Sequence, residues 1–501
     1  MGAGRSWACT RWVHRMALRG DGEPGNVFLF SRVPRRMTTE EAQGRLPFEY
    51  ETAEDDGTIT SHGGLPLVAE TMRALGISEA ARRELKQPGR RREHDAALMV
   101  EAFVTLMAMG GECLDDFKLL VEDSALRRLM DRSFPSPETA RRFLYGFHDD
   151  ALVQKAAEEL PAGEVAYVPE ENEWLRGLGR VLERSVMAVQ ERHPVETATV
   201  DLDATIQESH KREAKFHYEG GRGYQPEVAI WAEQDLVIGD EFRDGNVPAG
   251  KDTLRLTQRA FAALPKTVKE RRFRGDSACY NEPQIKWLAG QEIAFTISAD
   301  MGKDLRAVCQ AVEEDNWRLL EQRADEEVHV TEVVFCPGDW RRDAAALRYL
   351  ALRFTPKQGK LFEDGAGPKY LAVVTNREGT AEELIRWHWG KAGTIERVHD
   401  IVKNELGGGV LPCGRFGANA AWFRLALLTF NVLTALKVIG LPPEMKEARP
   451  KRLRLHVLTL PAQVVSHSRQ LWARLVDRAH RAVWAVLARR RIWKAVPLPA
   501  G

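Results

Sequence analysis

From Leu65 to Leu160 apolar residues recur at spacings of three and four, through LPLVAETMRAL, ALMVEAFVTLMAMGG, CLDDFKLLVED, SALRRLM and SPETARRFLYGF. That spacing predicts an all-helical N-terminal region whose helices each bury one face. Ser136 followed by Pro137 reads as an N-cap with proline at the first helical position, and the helix it opens carries Arg141 and Arg142. A short basic helix behind a turn suits a DNA groove, and an ordinary solvated amphipathic helix explains it equally well. From ETATVDLDAT onward the period changes to two. Strands are expected there, at PEVAIWAEQ and at LVIGDEFRDG, followed by a helical run over 253–264, the segment ERRFRGDS, a helix near 284–288 and the strand EIAFTIS. This alternation predicts a mixed sheet with helices packed on it. Residues 306–375 hold a helix and three strand candidates, VHVTEVVF, AALRYLALRF and KYLAVVTN, and read as a mostly β insertion before helices return at Thr380.

At 501 residues the chain exceeds what one compact core serves, so several domains are expected. Net charge is zero, with 72 basic and 72 acidic residues, and excludes nothing by itself. Its distribution is more telling. Between Arg449 and Lys494 twelve Lys or Arg face one acid, Asp477, a surplus suited to a polyanion. Its LRLHVL and LWARLV stretches are expected to pack while the arginines face phosphate. The six cysteines are scattered without a C-x-x-C pair, which argues against structural zinc and for a reduced compartment. The apolar stretch 425–441, interrupted by Asn431 and Lys437, reads as a buried helix, and no membrane partner is expected. The first forty residues are Arg- and Gly-rich and irregular, a tail, with Met37 an alternative start.

Three acids in separate segments carry the candidate chemistry: Asp203 in TATVDLDAT, Asp276 in RFRGDSACY and Glu396 in WHWGKAGTIERVHDIVK. Carboxylates drawn from distant segments are what a site for hard divalent cations requires, although each alone has a bland explanation. The strand period puts Asp201 and Asp203 on one face, and leaves open which of them acts. Asp276 follows Gly275 at a strand end. Thr394 suits an N-cap or first turn, and Glu396, His399, Asp400 and Lys403 then share one helix face, suited to phosphoryl transfer or to a salt-bridged surface. The loop SHKREAKFHYEGGRGYQP holds His210 and His217, too far apart and without cysteine to suggest a metal, and Lys211, Arg212, Lys215 and Arg222, which suit a DNA backbone.

DLDAT, RGDS and GTIERVHDIVK together resemble the three catalytic blocks of DDE transposases from bacterial insertion sequences. The branch with the signature Y-x2-R-x3-E-x6-K is the nearest likeness: Glu396 and Lys403 match its last two positions, whereas Trp389 stands for Tyr and Ala392 for Arg, with Lys391 one position earlier. GLPLVAE, GGECLDD, PSPETARRFL, RGYQP and WFRLALLTFNVLTALK extend the likeness over most of 60–495. The resemblance implies an α/β, ribonuclease H-like catalytic domain in two parts, 193–305 and 376–440, around the β insertion 306–375. A tail (1–45), a helical DNA-binding domain (46–192) and a basic helical C-terminal segment (441–501) would complete it. It implies Mg2+ or Mn2+ on Asp203, Asp276 and Glu396, favouring Asp203 over Asp201, with Lys391 and Lys403 on phosphates, Trp389 near them, and Trp340 stacking an extruded base. The implied partners are double-stranded DNA, as terminal inverted repeats and target, and a second copy on paired ends, in a bacterial cytoplasm at the nucleoid. A nuclease without strand transfer and a DNA-binding protein from a decayed element are the alternatives.

Overall fold

A computed structural model describes residues 56–85, 95–164, 166–338, 340, 347–357, 367–476 and 481–496. The expected tail and Met37 lie outside the described residues.

The helices foreseen before residue 160 form where their caps stand. Asp95 accepts from Leu98 N at 2.8 Å to open Ala96–Met109, which ends at Gly110, where φ of 107° requires glycine. Ser136 accepts from Thr139 N at 3.2 Å, with Pro137 at the first position, to open Pro137–Tyr145. Asn172 opens the long helix Glu173–Arg192 in the same way.

The strands are β1 Ile59–Thr60, β2 Thr197–Ala204, β3 Gln207–Glu208, β4 Lys215–Phe216, β5 Arg222–Tyr224, β6 Glu227–Trp231, β7 Leu236–Glu241, β8 Glu270–Gly275, β9 Ala294–Ala299, β10 Arg318–Gln322, β11 Glu326–Val333, β12 Arg348–Pro356, β13 Lys369–Thr375, β14 Ala462–His467 and β15 Gln470–Leu475. Nine of them form one sheet in the order β10-β11-β12-β13-β9-β8-β2-β6-β7. Within it β2 pairs antiparallel with β6 and parallel with β8, and β8 runs parallel to β9. The strands β10 to β13 therefore do not form a separate inserted body; they continue the central sheet through the antiparallel β13–β9 pairing.

Helix Phe416–Ile439 is long and apolar enough to cross a membrane, but it is buried within the protein. Its polar interruption has a use. Asn431 accepts from Val237 N at 2.8 Å and donates to Val237 O at 2.8 Å and Ser185 Oγ at 2.9 Å, so it satisfies the open edge of β7 and ties it to Glu173–Arg192. Phe103, Leu178, Leu202 and Phe423 belong to one continuous core, so the N-terminal helices pack with the sheet rather than forming a core of their own. The C-terminal segment also departs from expectation. LWARLV is not a packed helix but strand β15 of an exposed hairpin with β14, joined to β1; the helix Arg481–Lys494 follows it.

Candidate active site

Strand register builds the site. In the parallel pairing of β2 with β8, Asp201 lies beside Arg274 and Leu202 beside Gly275. Continuing by one residue sets Asp203 beside Asp276, on the same sheet face as the first pair. Asp201 is fully buried and receives Arg274 through two bonds, Nε at 2.6 Å and Nη2 at 2.8 Å, and also the hydroxyl of Thr394. Burial pushes the Asp201 carboxyl up, against the opposing pull of Arg274 and Thr394. Arg274 Nη1 donates to Trp387 O at 2.8 Å, and its guanidinium lies 5.1 Å from the Trp387 ring, so the pair also holds the end of helix Ala381–Trp389.

Two residues further along, the second pair is acid beside acid. Asp276 begins a short 3-10 turn and accepts from Ala278 N at 3.2 Å; burial raises its pKa and the charge on Asp203 adds to that, while Lys391 opposes it. Lys391 Nζ lies 3.3 Å from Asp203, with its side chain only 13% exposed. Burial works to lower the Lys391 pKa, but Asp203 and Asp276 together hold it above that of an ordinary lysine. The ammonium is thus paired with Asp203 and stabilised further by the charge of Asp276.

Glu396 stands apart from them. It is exposed at the end of a π-helical segment, Ala392–Glu396, that leads into helix Arg397–Glu405. An i→i+5 turn admits one extra residue and sets Glu396 one turn above Lys391, where an uninterrupted α-helix would turn it away by about 140°. Among the described residues no three His, Cys, Asp or Glu gather closely enough to hold a metal ion. In donor chemistry Asp203 and Asp276 fit a divalent cation as two oxygen ligands; the third carboxylate is one helical turn away from the lysine between them.

Two buried histidines flank the cluster. His388 lies between Thr296 Oγ1 at 2.8 Å and Ser298 Oγ at 3.0 Å, and burial with Lys391 and Arg274 nearby pushes it down to about 3. His399 is also pushed down to about 3, by burial and by Lys403 and Lys391.

Several expected DNA contacts are otherwise engaged. Lys391 is tied to Asp203 instead of being offered to a phosphate. Trp389 packs against a satellite core that includes Leu320 and Ile385, with Arg323 5.2 Å from its ring. Arg222 donates to the carbonyls of Arg212 and Ala214 at 3.0 and 3.2 Å and lies 4.4 Å from the Phe216 ring, closing its own loop. Arg141 and Arg142 both pair with Glu138, at 2.5 and 2.9 Å, as exposed helix-surface bridges. Lys403 and Lys211 are half-buried; burial lowers the Lys403 pKa, with Glu208 and Glu219 pulling it back. Trp340 is partly buried, its ring 5.1 Å from that of Tyr280, four residues past Asp276. His217 is buried and accepts from Glu219 N at 3.3 Å.

Arg274, Thr394, Trp387 and His388 are the site residues that pattern reasoning missed. Arg274 had a signal: it sits two residues before Asp276, on the same face of the segment ERRFRGDS. The other three depend on how one helix docks and have no local signature.

Residues 49–492 match the family model described as transposase DDE domain group 1. No curated protein matches the chain. Among solved structures, the cryo-EM structure of the piggyBac transposase synaptic complex with hairpin DNA is similar, at 8% identity and a TM-score of 0.45, with 86% of this chain and 82% of that chain covered.

Proposed function

Because the chain belongs to the family of transposase DDE domains, group 1, we propose that it is a DNA transposase that cuts the ends of an insertion sequence and transfers their 3′ ends to target DNA. The observation that supports this reading is the proximity of Asp203 and Asp276 where β2 and β8 end, with Lys391 against Asp203. The strand order supports a ribonuclease H-like catalytic core, since β2 is followed on one side by the antiparallel ladder β2–β6–β7 and on the other by the parallel ladder β2–β8–β9. Asp203 and Asp276, joined by Glu396, would hold Mg2+ or Mn2+. When bound, such ions activate water or a DNA 3′-hydroxyl and stabilise the leaving oxygen of an in-line displacement.

The chain's own residues do the positioning. Thr394 bonded to Asp201 fixes the start of the Glu396 helix against β2, and Arg274 fixes the preceding helix through Trp387 O. Lys391 offsets the repulsion between the two aspartates before a cation arrives. Double-stranded DNA is the partner in this reading, with two copies of the chain on paired ends in a bacterial cytoplasm. A DNA-binding protein from a decayed element is the second reading, favoured by the separation of Glu396 from the pair.

Incubation with labelled terminal-repeat duplex and Mg2+ or Mn2+ separates these. The transposase reading expects cleaved ends and joined products, both lost in Asp276→Asn with DNA binding retained. Cutting unchanged by Asp276→Asn would overturn the site assignment; retarded DNA without any metal-dependent cutting would favour the second reading; cut ends never joined would leave a nuclease.

A further inference from the structure

Five of the twelve basic residues between Arg449 and Lys494 are engaged within the protein. Arg449 pairs with Asp400 and Glu405; Arg454 donates to the carbonyls of Met107, Ala108 and Glu405. Arg489 pairs with Glu70, while Arg481 and Arg491 donate to backbone carbonyls. Two of the others stand on the hairpin β14–β15. Arg469 and Arg474 are exposed and their side chains make no ion pair or hydrogen bond among the described residues, and no acid occurs anywhere in 448–476.

The hairpin also projects. Every residue from Ser466 to Arg474 is exposed, including Leu471 at 45% and Trp472 at 52%. Register places Gln463 opposite Arg474, Val465 opposite Trp472 and His467 opposite Gln470, so one face is polar and aromatic along its length. Ser468 and Arg469 form the turn with φ of 51° and 62°, a left-handed pair of positions that ordinarily takes Asn-Gly. An arginine is therefore held at the tip where glycine would be easier.

We propose that the hairpin β14–β15 docks on duplex DNA, tip first, with Arg469 and Arg474 on phosphates and Trp472 against the groove wall. The claim rests on the transposase reading and names a surface for it. Charge decides the occupant: a face with two unpaired arginines and no carboxylate suits a polyanion and disfavours a second copy laid on itself. Size agrees, because a two-stranded ribbon fits the major groove, about 12 Å wide and 8.5 Å deep, and the three outermost residue pairs extend about 7–10 Å.

The test is fluorescence anisotropy of the full chain on a labelled terminal-repeat duplex across a salt series, comparing wild type with Arg469→Ala/Arg474→Ala and with Trp472→Ala. The double variant is expected to bind about tenfold more weakly near physiological salt and to lose roughly two units of the slope of log K against log salt. Its thermal midpoint should match that of wild type, since neither arginine has a partner. Wild-type binding with unchanged affinity and slope in the double variant would overturn the hairpin proposal alone. A wild-type chain that binds no duplex would overturn the transposase reading and the hairpin with it. Unchanged DNA affinity together with a shift from dimer to monomer in sedimentation velocity would mean that the exposed edge of β15 pairs with a second copy instead.

Discussion

Asp201 and Asp203 lie on one strand, two residues apart and on one face, and they meet opposite neighbours. Beside Asp201 the adjacent strand presents Arg274; Asp203 has Asp276, just past the end of that strand, close enough for their charges to oppose each other. The first pair is buried, bidentate and bonded by a third group, and it has become structure. The second is left as like charge beside like charge, with Lys391 at its edge, and it has become a candidate for chemistry. A carboxylate's role here follows from the residue that register sets against it, not from its own identity.

The largest effect that would break this contrast is on stability. Asp201→Ala leaves the Arg274 guanidinium buried without its counter-ion, which is expected to cost about 3–5 kcal/mol in urea unfolding. Asp203→Ala removes a partly exposed charge from a crowded pair and should cost no more than about 1 kcal/mol. Equal costs for the two substitutions would show that the division into structural and chemical aspartates is wrong.

A smaller effect is expected from pH. His388 and His399 titrate near 3 in the folded chain against about 6.5 when unfolded, so below 6.5 the unfolded state binds more protons. Stability from each is complete above pH 6.5 and is lost as pH falls toward 3, about 2 kcal/mol per histidine by pH 5. The raised carboxyls of Asp201 and Asp276 act in the opposite sense, since they bind protons more readily folded than unfolded. The discriminating measurement is therefore the difference between wild type and His388→Gln. The variant's unfolding free energy should fall less steeply between pH 6.5 and 5, by close to one proton; parallel curves would mean that His388 is not held neutral between Thr296 and Ser298.

Much of this was legible in the sequence, and what was not has a common physical cause. Local signals worked where the determinant is local: Ser136-Pro137 opens a helix, the period of two marks β2, and the apolar run after 416 is a buried helix. The strands expected within 306–375 are there, but pattern alone could not say that β13 pairs with β9 and so joins them to the central sheet, because strand partnership is a long-range choice. The basic surplus was visible; its division into arginines that close carbonyls and arginines left free on a hairpin was not. Asp203 and Asp276 were singled out from their segments and lie close together, whereas the π-helical segment that sets where Lys391 and Glu396 face depends on how the helix docks through Thr394.

That docking gives the smallest and most specific effect. Thr394→Val keeps the shape of the side chain and removes the hydroxyl that donates to Asp201, a bond to a charged acceptor. A loss of about 1.5 kcal/mol is expected by urea unfolding. The value sharpens when measured in two backgrounds. In Asp201→Ala the charged acceptor is gone and the hydroxyl keeps only the backbone carbonyl of Lys391, at 2.8 Å, so Thr394→Val should cost clearly less than in wild type; in Asp203→Ala it should cost as much as in wild type, because neither Asp203 nor Asp276 is bonded to the hydroxyl. If the coupling instead ran to Asp203, the start of the Glu396 helix would be held by the chemical pair. Its register would then change whenever a cation replaced Lys391, and the separation between the two aspartates would disappear as an explanation.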